Sequence, residues 1–253
     1  MVLRTSRIDD RVRNPANEPG ASVVVASYNI QKAVGADLRR NPARTLAVMK
    51  EINADIYVLQ EADRRFGARH SALSLPLVAA HGWRPVPFET RPDSIGWHGN
   101  AILVSDRVEI LRHSILPIPS LEPRGAVLAD LAIDGRQLRV IGMHLDLSGL
   151  WRRRQAEAIL AHLVDQQESV PTLLMGDLNE WRATAGAVAD FARGHRHVRT
   201  GPTFHAKLPV ATLDRIFASH DLSVEAAGVH HTALAAVASD HLPVWVRLGL
   251  GAG

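Results

Sequence analysis

The chain has 253 residues, of which 46% are hydrophobic and 22% charged, the ordinary balance of a protein with a sizeable core, so disorder throughout is excluded. Arg, Asp or His breaks every apolar run before it reaches the eighteen or so residues of a membrane-spanning helix, and the lack of cysteine excludes disulfides, thiolate nucleophiles and Cys-ligated metals. The formal charge of +3 sets 29 basic against 26 acidic residues, too even a balance for bulk charge to indicate nucleic-acid binding.

Residues 1–20 are polar and Arg-rich, with Asn14-Pro15 and Pro19-Gly20, and read as a flexible tail. They lack the apolar stretch of a secretory signal, so the expected location is the cytoplasm. The folded domain is expected over residues 21–249. Short apolar runs predict strands at 22–28, 56–60, 101–105, 126–133, 138–143, 172–175, 212–218, 224–229 and 242–248. Asn41-Pro42 opens a helix carrying Leu46, Met49 and Ile52 at helical spacing, and residues 151–167 form another with Ile159, Leu160 and Leu163 on one face. Asp134-Gly135 between two alternating runs predicts a hairpin, which makes part of the sheet antiparallel. The pattern indicates an α/β sandwich with both strand directions and no second domain.

Polar residues follow apolar strands in five places: Ser27-Tyr28-Asn29, Gln60-Glu61, His144-Leu145-Asp146, Asp177-Leu178-Asn179 and Ser239-Asp240-His241. One such cluster is an ordinary turn or cap. Five in one chain point to a site, because a fold has little reason to end so many buried strands in carboxylates, amides and imidazoles.

With Gly99-Asn100-Ala101-Ile102-Leu103, Leu213-Asp214-Arg215-Ile216 and the full spellings Leu59-Gln60-Glu61, Gly176-Asp177-Leu178-Asn179 and Ser239-Asp240-His241-Leu242-Pro243, the ordered set resembles the endonuclease/exonuclease/phosphatase superfamily, in its small bacterial members. The resemblance implies a four-layer α/β/β/α sandwich of two mixed β-sheets flanked by helices, with a divalent-metal-dependent phosphoesterase site at one end. Oxygen donors from Glu61, Asn29 and Asp240 suit Mg²⁺ or Mn²⁺ better than zinc. In this pattern Asp177 orients and deprotonates the attacking water, and Asn179 contacts the phosphate or the water. His241 contacts the phosphate with Asp214 beside it, His144 serves the leaving oxygen, and Asn100 binds the phosphate. Asp146 is a possible partner of His144 by its position two residues on.

The substrate class stays open at this level, between DNA and a phospholipid or small phosphate ester. A catalytically silent phosphate-binding domain is the reading from another class, and the presence of Glu61, Asp177, Asn179, Asp240 and His241 argues against it. Short loops are expected to rim the site, carrying Trp97, Trp151 and Trp181 as core caps or as a stacking or lipid-contacting edge. Arg152-Arg153-Arg154 is expected to be a solvated helix start, and Arg215 a surface or sheet-edge arginine or a substrate contact. No feature requires an oligomer, so a monomer is expected.

Overall fold

The computed structural model describes residues 22–63, 70–88, 94–166 and 169–249; the predicted tail lies outside them. The strands, in chain order, are β1 (Ser22–Asn29), β2 (Ile56–Gln60), β3 (Trp83–Pro85), β4 (Ala101–Ser105), β5 (Val108–Leu116), β6 (Gly125–Ile133), β7 (Arg136–His144), β8 (Thr172–Asp177), β9 (Arg196–Val198), β10 (Asp214–Ala218), β11 (Ser223–Val229) and β12 (Val244–Gly249). They form one sheet in the order β11-β12-β1-β2-β4-β3 and another in the order β5-β6-β7-β8-β10-β9. Both sheets are mixed: β1 runs parallel to β2 and β7 parallel to β8, while the remaining pairs are antiparallel.

Period-2 alternation creates the layers. On β1, Val23 and Val25 face the other sheet and Val24 and Ala26 face outward. Val58 and Ile102 likewise join Val127, Val140, Met175 and Ile216 in the core between the sheets. The outer face of the first sheet packs against α1 (Pro42–Ile52), α2 (Leu75–Ala80) and α5 (Ala235–Ala238). That of the second sheet packs against α3 (Gly149–Asp165) and α4 (Ala187–Ala192). The result is the expected four-layer sandwich. At Gly142 the sheets approach so closely that a Cβ would lie 2.6 Å from Val58 Cγ1.

Local chemistry sets the element ends. The Asn41 side chain accepts from Arg44 N at 3.0 Å, capping α1 with Pro42 in its first turn. Asp134 and Gly135 both adopt positive φ, 51° and 77°, as a two-residue hairpin turn requires. Three strands escape the sequence pattern. β3 and β9 have only three residues each, and β5 is an edge strand whose bulge between Ile110 and Arg112 breaks the alternation. Strand β12 starts later than expected, at Val244, because Pro243 has no N–H to give the ladder.

Far from the strand ends that gather polar residues, Asp130 bridges Arg139, at 2.6 Å, and Arg112, at 2.8 Å, across three strands. Burial, the largest influence on Asp130, opposes its ionisation, but hydrogen bonds from Arg139 and Arg112 hold its carboxyl below the usual range. Arg139 is 2% exposed. Asp130→Asn is therefore expected to cost roughly 3 kcal/mol at pH 7, since a buried guanidinium loses its counter-charge. A depressed folded pKa stabilises above the unfolded value of about 3.9 and ceases to do so as pH falls through the folded value. The gap between wild type and variant should thus narrow below about pH 4 in denaturant titrations; a gap independent of pH would show that the ionised carboxylate is not its source.

Candidate active site

At one end of the sandwich the face that forms the inter-sheet core turns polar. Two residues beyond Val25 and again beyond that come Ser27 and Asn29; Gln60 follows Val58, His144 follows Gly142 and Asp177 follows Met175. Asn100 and Asp214 stand two residues before the core residues Ile102 and Ile216. Strand register then aligns His144 with Asp177 and Asp177 with Asp214, so three neighbouring strands present three functional side chains in a row.

Asp177 lies at the focus. Its Oδ2 accepts from Asn29 Nδ2 at 3.0 Å, across the gap between sheets, and its Oδ1 accepts from Asn179 N at 2.9 Å. His144 Nε2 stands 3.3 Å and His241 Nε2 3.7 Å from the same Oδ2. Burial is the largest influence on Asp177 and raises its pKa; the His241 charge works against this and the Asp214 charge adds to it. The outcome is a carboxylate more basic than usual.

His241 Nδ1 donates to Asp214 Oδ2 at 2.8 Å, the contact expected from sequence across 27 intervening steps of chain. Thr203 Oγ1 donates to the same oxygen at 2.5 Å. Burial, the largest influence on His241, disfavours its charge, yet the Asp214 and Asp177 carboxylates outweigh it and raise the histidine pKa well above the ordinary value. An imidazolium therefore sits between two carboxylates.

Glu61 follows β2 with a left-handed backbone, φ 53°, and Gly99 packs on it so closely that a Cβ there would lie 3.3 Å from Glu61 Cα. Lys32, itself left-handed, places Nζ against Glu61 Oε2. Left-handed non-glycine backbone also occurs at His98 and Asn179, a clustering of strain that suits a site. Asp240 is half-buried beside Ser239, whose hydroxyl donates to Asn29 O at 2.7 Å. Asn29 has both polar atoms engaged, since its Oδ1 also accepts from Gln31 N at 3.1 Å. Asp177, Asp214 and His241 themselves offer ligand atoms within 4.8 Å of one another, enough for a buried group of this composition to hold a metal ion. One hydrogen bond joins these three, His241 Nδ1 to Asp214 Oδ2, whereas Glu61 is partly exposed and paired with the Lys32 ammonium.

Other expectations shift. Asn179 spends its side-chain amide on Leu145 O at 3.0 Å, tying the loop after β8 to the end of β7. Asp146 accepts from Ser148 N at 2.8 Å, a turn contact beyond the end of β7. Asn100 donates to Gly125 O at 3.1 Å and has a buried Oδ1 with no hydrogen-bond partner among the described residues. Arg152 is buried, not solvated: it pairs with Glu180 at 3.2 Å and donates to Leu147 O at 2.6 Å. Arg215 is also buried and donates to Glu180 O and Arg182 O, both at 3.3 Å, so it is neither a surface nor a sheet-edge arginine. The two arginines brace the segment after Asp177.

Sequence reasoning missed Arg124, whose Nη1 contacts His144 Nε2. Its signal was position: it immediately precedes β6, which begins at the same end of the sheet. It also missed Phe204, whose ring centroid is 5.0 Å from that of His241 and 6.0 Å from that of Trp181. The three rim tryptophans differ in role. Trp97 packs on the inter-sheet core, Trp151 is half-buried under the Arg154 guanidinium at 5.2 Å, and Trp181 is 64% exposed.

Two mixed sheets face to face, with carboxylates, amides and imidazoles at one open end, define a four-layer α/β-sandwich protein. The family model described as "Endonuclease/Exonuclease/phosphatase family" matches residues 26–241, and the chain belongs to that family. Among relatives it is 27% identical over 231 residues to the uncharacterized protein YbhP of Escherichia coli K12, covering 78% of this chain and 84% of that one. Among solved structures it resembles an endonuclease/exonuclease/phosphatase from Bacteroides vulgatus, with a TM-score of 0.72, 17% identity and coverage of 92% of this chain and 100% of that one. It also resembles D. rerio TDP2 complexed with single-strand DNA product, with a TM-score of 0.69, 16% identity and coverage of 91% and 100%. These two structural likenesses concern the fold.

Proposed function

We propose that the chain is a divalent-metal-dependent phosphodiesterase that hydrolyses a phosphate ester by in-line attack of water. The observation that supports it most is the convergence on Asp177 of Asn29 and His241 from the sheet of β1 and β12 with His144 and Asp214 from the other sheet. Glu61, with Asp240 and Asn29 beside it, would hold Mg²⁺ or Mn²⁺. Such an ion neutralises phosphoryl charge and activates water.

The chain's own groups supply the rest. Asp177, held by Asn29 Nδ2 and Asn179 N, accepts the proton of the attacking water, and its raised basicity favours that transfer. His241, kept charged by Asp214, donates from Nε2 to a phosphate oxygen. His144 and Arg124 stand together as the groups for the leaving oxygen. Lys32 pairs with the Glu61 carboxylate, and a cation held by Glu61 would compete with that pair.

Substrate class is tested by a panel containing plasmid, single-stranded and abasic DNA, RNA, bis-p-nitrophenyl phosphate and phospholipids with Mg²⁺ or Mn²⁺. The single-stranded DNA in the TDP2 complex makes a nuclease one arm of that panel. Turnover of at least one diester is expected; inactivity on every ester, with phosphorylated ligands still bound, would support the silent binding domain instead.

Glu61→Gln preserves shape and removes one ligand charge. Calorimetric titration with Mn²⁺ is expected to show affinity lower by about 10-fold to 100-fold, with an unchanged melting temperature in chelator. Unchanged affinity would remove Glu61 from the metal shell.

A further inference from the structure

Large apolar side chains rarely project from several loops at once around a polar cleft, yet Leu38, Leu121, Leu147, Trp181, Leu208 and Val210 all do so here. They border the site end as a rim in three groups. Leu38 and Lys207 border the same cavity, of about 190 Å³, as Asp240 and His205. Leu208 and Val210 follow Phe204, to whose carbonyl Val210 N bonds at 2.8 Å, and Phe204 carries Trp181 on its edge. Across the opening, Leu121 N bonds Asp146 Oδ2 at 3.4 Å, next to Leu147. No helix among the described residues is long and apolar enough to cross a membrane.

The same loops carry exposed Arg39, Arg182 and Lys207. Their acidic residues are already engaged: Asp37 by Arg44 at 2.9 Å, Glu122 by Arg124 at 3.4 Å and Glu180 by Arg152 at 3.2 Å. The fringe is thus apolar and cationic together, the combination that binds a negatively charged lipid surface. Nucleic acid would use the cations and Trp181 but gains nothing from aliphatic leucines and valines. A rigid protein seated on the rim would close the cleft, whereas a bilayer would bring its own phosphodiesters to it.

We propose that this rim docks the site end of the molecule on an anionic phospholipid surface, with Trp181, Leu208 and Val210 entering the acyl boundary. The inference rests on the phosphodiesterase reading for its purpose, while the docking itself is measured without turnover. The full chain is sedimented with phosphatidylcholine vesicles with and without phosphatidylglycerol, at low and high salt. Binding is expected only with phosphatidylglycerol, weakening as salt rises. Leu208→Asp and Trp181→Asp should each weaken it by about 10-fold or more, since an apolar anchor becomes a repelled charge. Val164→Asp, an equally exposed site near the far end of α3, should bind as wild type. Absence of vesicle binding, or equal binding by all three variants, overturns the docking. So does a dimer in light scattering that Leu208→Asp dissociates while vesicles are ignored. A wild type that ignores vesicles yet hydrolyses bis-p-nitrophenyl phosphate refutes the docking alone. One that binds them as expected but hydrolyses no ester supports the docking and refutes the catalytic reading.

Discussion

Asp177→Asn is expected to lower turnover by roughly 10²-fold to 10⁴-fold while the chain stays folded. The carboxylate is the only group that touches Asn29, His144 and the Asn179 backbone together among the described contacts, so it is the base the geometry offers to a water in the cleft. An amide of the same shape keeps the Asn179 N contact but has no proton affinity to use. Burial raises the Asp177 pKa, so the acid limb of the wild-type pH–rate profile should lie above the usual carboxylate value of about 3.9. The variant should lack that limb. Turnover near that of wild type, with an unmoved melting temperature, would assign the base elsewhere.

Asp214→Asn is expected to reduce turnover by about 10²-fold at pH 8 and by less at pH 6. In the wild type Asp214, next to Nδ1 of His241, is the leading force that overcomes burial and keeps the imidazole charged. With that charge removed, burial acts against only the Asp177 and Asp240 charges, and the His241 pKa falls. The loss of rate therefore grows as pH rises, because the neutral ring cannot donate from Nε2 while Nδ1 holds its only proton. Stability follows the same sign. A raised folded pKa contributes fully below the unfolded value of about 6.5 and is lost as pH rises through the folded value. NMR titration of His241 in both proteins checks the cause; identical titrations would give Asp214 another role.

The fold and the meeting of most candidate site residues at one end were legible because both depend on period-2 alternation. The pattern that buries Val23 and Val25 also aims Asn29 into the cleft, and the pattern behind Met175 and Ile216 does the same for Asp177 and Asp214. Strand-terminal position thus carried both architecture and chemistry. What escaped lacked a repeating signal. Strand β5 lost its phase at a bulge, and Arg124 joined His144 only through the pairing of Gly125 with His144 across β6 and β7. Arg152 looked solvated because three arginines in succession suggest an exposed turn, whereas the first of them turns back beneath the loop to reach Glu180. Phe204 and Trp181 lie in loops whose shapes are set by long-range contacts, so their stacking beside His241 had no local signature.

Metal-dependent hydrolysis at this end of the sandwich is the central claim, and hydrolysis of bis-p-nitrophenyl phosphate by the full chain tests it most directly. The rate is measured after chelation with EDTA and again through a titration with Mn²⁺, for wild type and for Glu61→Gln. The expected result is negligible turnover in EDTA, saturable recovery with Mn²⁺ in wild type, and a midpoint displaced to higher Mn²⁺ by about 10-fold or more in the variant. Full activity in EDTA, or coincident Mn²⁺ curves for the two proteins, would contradict a metal held at Glu61.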